Sequence, residues 1–389
     1  MLYCRSEVDM GLNDNMKDYI ASSFEDAKDI VRKLCAIPAP SHHEENRAKW
    51  CRDWFIEAGG EKVFIDDALN AVCEYNVTDS NDVVVLMAHT DTVFPDLDPM
   101  PFVERDGLFL CPGVTDDTGN LASLLIACRY VLGNRIPTSC GLVFVANSGE
   151  EGLGNLKGSR KIVSTYGKRI KEFITIDGTR LERIVNMAVG SHRYRITVRT
   201  EGGHSFSAFG NRNAIACIAR IIDELYKVQV PVDGASKTTY NVGVISGGTS
   251  VNSIAQDVNM LYEYRSTSRV CLAGMKENLD RIIGKFRSGG LDIDVDLIGE
   301  RPCTGDVDPL AHQALIEKAR QSIKRVLGKD ADVTYSSTDA NSALAVGIPA
   351  ICMGGAVGGN CHTREEWLDP QSLKKGSALI LDFLSGYFV

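Results

Sequence analysis

The sequence predicts an α/β protein: a discontinuous domain of residues 1–188 and 302–389, interrupted by a smaller α+β domain of residues 189–301. Three observations lead there. Unbroken apolar runs such as residues 83–87 and 141–146 alternate with segments of helical periodicity, the pattern of a mostly parallel sheet covered by helices. Near residue 190 the period drops to two, with Tyr194, Ile196 and Val198 set against Arg195, Thr197 and Arg199, as in a half-exposed strand. Beyond Pro302 the first character returns. A length of 389 residues suits about two domains.

Residues 23–37 space Phe24, Ala27, Ile30, Val31 and Leu34 as a helix that Pro38 and Pro40 stop. Ser41 fits the N-cap of a second helix to about Ala58, closed by Gly59-Gly60. Strands follow over 62–66, 71–76 and 83–88, then a proline-marked loop, an apolar helix over 119–132 and a buried strand over 141–146. A helix over 155–166 and a strand over 173–176 complete the first alternation. The insert reads β-α-β-β-α-β: strand 192–200, helix 214–225, strands 240–246 and 257–265, helix 275–287, strand 291–298. That order predicts one sheet with two helices on a single face. Helix 310–327, strands 332–335 and 349–353, and a helix near 371–386 end the chain.

The composition excludes several classes. Apolar content of 44% and charged content of 24% are those of a globular protein with a sizeable core. A net charge of -9 argues against nucleic acid as a partner. No apolar run approaches the ~20 residues of a membrane span. Residues 1–29 carry Glu7, Asp9, Asp14, Glu25 and Asp26 without an apolar core, unlike a secretion signal. The 12 cysteines are scattered through apolar segments with no C-x-x-C, which points to a reduced, cytoplasmic protein.

The polar residues at strand ends carry the chemistry. The run 83–87 stops at His89, and Asp91 follows two residues on, placed to orient that imidazole and leave its other nitrogen for a metal. Asp116-Asp117 opens the apolar helix, Glu150-Glu151 follows strand 141–146, Asp177 follows strand 173–176, and His362 ends a glycine-rich loop from Gly354. Singly, these read as helix caps, solvated turns or loop residues. Together they gather imidazoles and carboxylates at one sheet edge, where cations are needed to offset repulsion. Mixed nitrogen and oxygen donors suit zinc, manganese or cobalt rather than calcium or magnesium.

In order, His89-x-Asp91, Asp116-Asp117-x-Gly119, Glu150-Glu151-Gly152, Asp177-Gly178, Gly202-Gly203-His204-Ser205 and His362-Thr363 resemble the six signatures of a co-catalytic zinc metallopeptidase family. It includes peptidase T, glutamate carboxypeptidase, aminoacylase and succinyl-diaminopimelate desuccinylase. Asp116-Asp117 and the ending His362-Thr363-Arg364-Glu365-Glu366-Trp367 look closest to the peptidase T branch. Thr118 departs from the pattern, since many members carry lysine there; the substrate branch is what this leaves open.

The resemblance implies a phosphorylase/hydrolase-like catalytic domain, an inserted lid and dimerisation domain, and two divalent ions. It implies that Asp116 bridges the ions, that His89 and Asp177 complete one shell, and that Glu151 and His362 complete the other. On residues alone either Glu150 or Glu151 can be the general base; the family's order selects Glu150. By the same resemblance His204 reaches across a homodimer to stabilise an oxyanion, Asn252 and Arg265 hold the substrate's polar end, and the Asp116–Asp117 peptide bond is cis. Cys361 reads as a bystander beside a complete ligand set. The expected activity is that of an exopeptidase on di- and tripeptides. The alternatives are hydrolysis of N-acyl or N-carbamoyl amino acids, and a non-catalytic scaffold that kept the fold.

Overall fold

The computed structural model describes residues 11–389 and divides the chain into two compact units, Met1–Asn186 with Gly305–Val389, and Met187–Thr304. The parts of the expected first domain and of the expected signal-free N-terminus that fall on residues 1–10 lie outside the described residues.

In the first unit eight strands form one sheet, in the order Lys62–Ile65, Ala71–Tyr75, Gly141–Asn147, Val83–His89, Ile170–Ile176, Ala350–Met353, Arg183–Ala188 and Asp332–Ser336. The four central strands, Gly141–Asn147 to Ala350–Met353, run parallel, and the strands flanking them are antiparallel to their neighbours. Gly141–Asn147 and Val83–His89 are buried along their whole length, as unbroken apolar runs require. Helix Asn120–Gly133 packs on Val83–His89 and carries Ser372–Ser385 against it. Leu121, Leu124, Leu125, Leu379 and Leu381 are fully buried there, each contributing about 1.5–3 kcal/mol of apolar burial.

The helix expected over 23–37 is present as Phe24–Cys35, and a further helix that was not expected, Asp14–Ser22, capped by the Asn13 side chain, precedes it. Three expectations are corrected. Ser41 does not cap the next helix, which starts at Glu45 without a side-chain cap. The insert's second helix starts at Arg269 rather than 275, because Ser268 accepts from the Cys271 N–H and begins it earlier. His362 does not sit in a loop running directly from strand Ala350–Met353. It lies at the tip of a hairpin, Val357–Gly359 with Trp367–Asp369, in a separate small sheet completed by Leu108–Leu110 and Val103–Arg105.

The second unit is a four-stranded antiparallel sheet in the order Thr238–Gly247, Asp257–Ser266, Gly190–Arg199, Asp292–Arg301. Helices Ala214–Leu225 and Arg269–Ser288 share its core, where Tyr194, Ile196 and Val198 meet Ile218, Ile221, Met275 and Leu279. The alternation in the sequence is thus the alternation of faces. The edge strand Thr238–Gly247 is exposed over most of its length, with Val244 and Ile245 about half exposed. No helix among the described residues is long and apolar enough to cross a membrane. The described cysteines are free thiols, most of them buried.

Candidate metal centre

The parallel strands deliver their carboxyl ends to one edge of the first unit's sheet. His89 closes Val83–His89, the Glu150-Glu151 turn follows Gly141–Asn147, and Asp177 follows Ile170–Ile176. The His89 Nδ1 lies 3.0 Å from the backbone carbonyl of Asp91. A carbonyl can only accept, so Nδ1 carries the proton and Nε2 is left to face the centre. The Asp91 carboxylate is 3.5 Å from the same nitrogen and has closer partners. Its Oδ1 accepts the Glu150 N–H and its Oδ2 the Glu151 N–H, both at 3.0 Å, and Ser41 Oγ donates to Oδ2 at 2.6 Å. Ser41 therefore serves Asp91 rather than a helix end.

Asp116 and Asp117 are joined by a cis peptide bond, as the resemblance implied. Asp116 Oδ1 is 3.0 Å from His89 Nε2, and its Oδ2 is 3.1 Å from His362 Nε2. His362 Nε2 is also 3.1 Å from Glu151 Oε1. Three groups of donor atoms lie within 4.8 Å of one another: His89 with Asp116, Asp117 and Asp177; His89 with Glu150 and Glu151; and Asp116 with Glu151 and His362. All five expected ligands are in these groups, and His89, Asp116 and Glu151 each belong to two of them. Asp117 joins the first group unexpectedly. Its Oδ2 accepts the His89 N–H at 2.9 Å, while its buried Oδ1 has no hydrogen-bond partner among the described residues.

The electrostatics follow from packing acids together out of water. Burial, then the charge of Asp116, pushes Asp177 up to about 7. Burial and the neighbouring acids hold Asp117 well above the usual range, and burial with Asp116 raises Glu151. Burial alone would lower the His89 imidazole, but Asp117, Asp116 and Asp91 outweigh it and raise it well above its usual value. Hydrogen bonds to Asp116 and Glu151 lift His362 to about 10. Asp91 is pushed up by burial, yet the adjacent His89 first, then the hydrogen bonds from Ser41 and the Glu151 N–H, hold it down to about 2. Five carboxylates and two imidazoles converging this way fit a pair of divalent cations with mixed oxygen and nitrogen donors.

Glu366 was not singled out as a site residue. It is 1% exposed, and its carboxylate accepts the N–H groups of Gly113, Thr115 and Asp116. Burial raises it to about 7, against the pull of those donors. Asp339 was missed too: it is buried and accepts from Asn147 Nδ2 at 2.5 Å. Asp339 stands three residues past strand Asp332–Ser336, the same offset as Glu150 from Asn147, and Glu366 directly precedes strand Trp367–Asp369 within the ending 362–367. Residue order thus carried a signal for both, while their partners are set by the fold. Thr118 is buried, and the buried Arg47 points Nη1 at its hydroxyl (3.4 Å) and at the Thr90 carbonyl (2.8 Å).

The remaining expected residues lie in the second unit. His204 is exposed, on a two-residue strand paired with Ser253–Ile254. Its Nδ1 accepts from the Phe206 and Ser207 N–H groups at 3.3 and 3.4 Å, so in the neutral ring Nε2 is the donor. Asn252 neighbours it: its carbonyl accepts the Ser205 N–H, and its side-chain Oδ1 accepts from Ser250 Oγ. Arg265 makes a bidentate pair with Glu263 at 2.8 and 3.0 Å. Cys361 is partly buried, with its thiol pushed up by burial first and then by the charges of nearby acids, Asp116 foremost.

The model of peptidase family M20/M25/M40 matches residues 85–386, so the chain belongs to that family, and it is a metal-dependent peptidase. YqjE of Bacillus subtilis is 24% identical over 376 residues, covering 90% of this chain and 95% of its own. A tripeptidase of Staphylococcus aureus superposes with a TM-score of 0.75 at 21% identity, over 93% of this chain and 98% of that one. Aminopeptidase PepT of Bacillus cereus superposes with a TM-score of 0.67 at 22% identity, over 95% and 98%.

Proposed function

We propose that this chain is a dinuclear exopeptidase that removes residues from di- and tripeptides. The observation that carries the reading is the position of Asp116, whose two carboxylate oxygens face imidazoles of two different donor groups, His89 at 3.0 Å and His362 at 3.1 Å. His89, Asp116 and Asp177 would hold one cation, and Asp116, Glu151 and His362 the other. Zinc suits the donors best, with manganese or cobalt as alternatives. When bound, such a pair polarises the scissile carbonyl and acidifies the attacking water.

The chain's own groups supply the rest. Glu150 takes the water's proton and passes it to the leaving nitrogen. Asp91 holds the turn that carries Glu150 and Glu151. His204 donates through Nε2 to the oxyanion in the partner's site, since Nδ1 is occupied by its own loop. Asn252 and Arg265 take the substrate's polar end, Arg265 by exchanging Glu263 for a substrate carboxylate. The exposed edge strand Thr238–Gly247 supports a homodimer formed through the second unit. The free thiols fit a reducing, cytoplasmic setting.

The test is a substrate screen of metal-loaded protein against di- and tripeptides and against N-acyl and N-carbamoyl amino acids. Release of an amino acid from short peptides, abolished by chelation and restored by zinc, is the expected outcome. Turnover confined to the acylated amino acids would replace the exopeptidase reading with a deacylase.

A further inference from the structure

The segment that carries His362 also builds the seat of Asp116. Glu366 lies four residues beyond His362 and about 250 residues from the loop it holds. One oxygen, Oε1, accepts the Thr115 N–H at 2.8 Å and the Asp116 N–H at 2.9 Å; the other, Oε2, accepts the Gly113 N–H at 2.8 Å. The Glu366 carbonyl accepts the Cys111 N–H at 3.2 Å, and Thr115 Oγ1 donates to the Trp367 carbonyl at 2.7 Å. Residues 111–116 are thus fastened to 366–367 by five hydrogen bonds. Gly113 adopts φ +75, and a Cβ there would meet Thr92 Cγ2 at 2.6 Å, so this loop has no slack on its other side.

A buried carboxylate is costly, and three backbone donors on one carboxylate form an unusually firm clamp. The strand Trp367–Asp369 also pairs with Leu108–Leu110, so the small sheet has backbone pairing of its own beside the clamp. What the clamp does set is the direction in which the Asp116 carboxylate leaves the backbone, at a fixed offset from His362. We infer that Glu366 is a positioning residue that couples Asp116 to His362 and thereby tunes the affinity of the ion held by Asp116, Glu151 and His362. This rests on the dinuclear reading above.

The test is a cobalt(II) titration followed by the metal's visible absorbance, with circular dichroism to establish folding and kinetics at limiting and excess metal. The variants are Glu366→Gln, Glu366→Asp and Glu366→Ala. Glutamine keeps the shape but turns an NH2 group towards backbone N–H donors. Wild type is expected to bind two ions. Glu366→Gln is expected to bind the first as wild type does and the second about 10–100-fold more weakly, with kcat recovering in excess metal and KM unchanged. Glu366→Asp is expected to fall between the two. Folded Gln and Ala variants that bind both ions with wild-type affinity would overturn the inference while leaving the dinuclear reading intact. A wild-type protein that binds fewer than two ions would overturn both. Should no Glu366 variant fold, Thr115→Val decides: it removes one fastening of the same loop, and an unchanged second affinity overturns the proposal.

Discussion

The backbone N–H of Glu150 donates to the Asp91 carboxylate at 3.0 Å, and the other oxygen of that carboxylate takes the N–H of Glu151 at the same distance. A single buried acid therefore sets the turn that carries both glutamates, whose carboxylates lie within 4.8 Å of each other and of His89. Asp91→Asn retains one acceptor and must abandon one of the two N–H groups. We expect kcat to fall about 10–100-fold with metal content less affected. Steady-state kinetics beside elemental analysis checks this; unchanged kcat would mean that the turn holds itself.

Glu150 and Glu151 are expected to fail differently. Glu150→Gln should keep both ions and lose turnover by ~10²–10⁴-fold, the contribution of a general base. Glu151→Gln should lose metal as well, since its carboxylate is the one 3.1 Å from His362 Nε2. The opposite pattern of metal retention would exchange the two roles.

Metal removal should expose a pH dependence. Asp177 is raised to about 7 and His362 to about 10 in the folded chain. Both bind protons more tightly folded than unfolded, so their stabilisation is lost as pH rises, from about 4 to 7 for Asp177 and from about 6.5 to 10 for His362. Thermal unfolding of chelated protein should therefore start at progressively lower temperature between pH 5.5 and pH 9. Adding zinc should flatten that slope, because the ligands then bind metal in place of protons. A chelated protein whose melting temperature rises over this range would contradict the assignment.

The role of His204 is separable by mixing two inactive chains. Glu150→Gln and His204→Ala should each lose activity, the latter by roughly 10²–10³-fold as for an oxyanion donor. After subunit exchange, one site of each mixed dimer would hold an intact base and a donated imidazole, and activity should return. Heterodimers verified by mass that stay inactive would place His204 in its own chain's site or outside catalysis.

Much of this was legible before any coordinates. A buried parallel strand announces itself as an unbroken apolar run, and the side chains just past its end must lie at the sheet edge; hence His89, Glu150, Glu151 and Asp177 could be named from residue order alone. The change of period near residue 190 was legible because a strand with one wet face alternates. What stayed hidden were the contacts between segments far apart in sequence. Ser41 looked like a helix cap because local pattern carries no information about Asp91, 50 residues away. Asp117 looked like a helix-start acid, yet it faces His89 and Asp177. Glu366 was legible only as part of the ending 362–367, without a role, and the pairing of strand Trp367–Asp369 with Leu108–Leu110 carries it under the Asp116 loop. Periodicity reports which face of an element meets water; which carboxylate meets which backbone N–H is decided by chain closure over hundreds of residues, and that is a property of the tertiary structure alone.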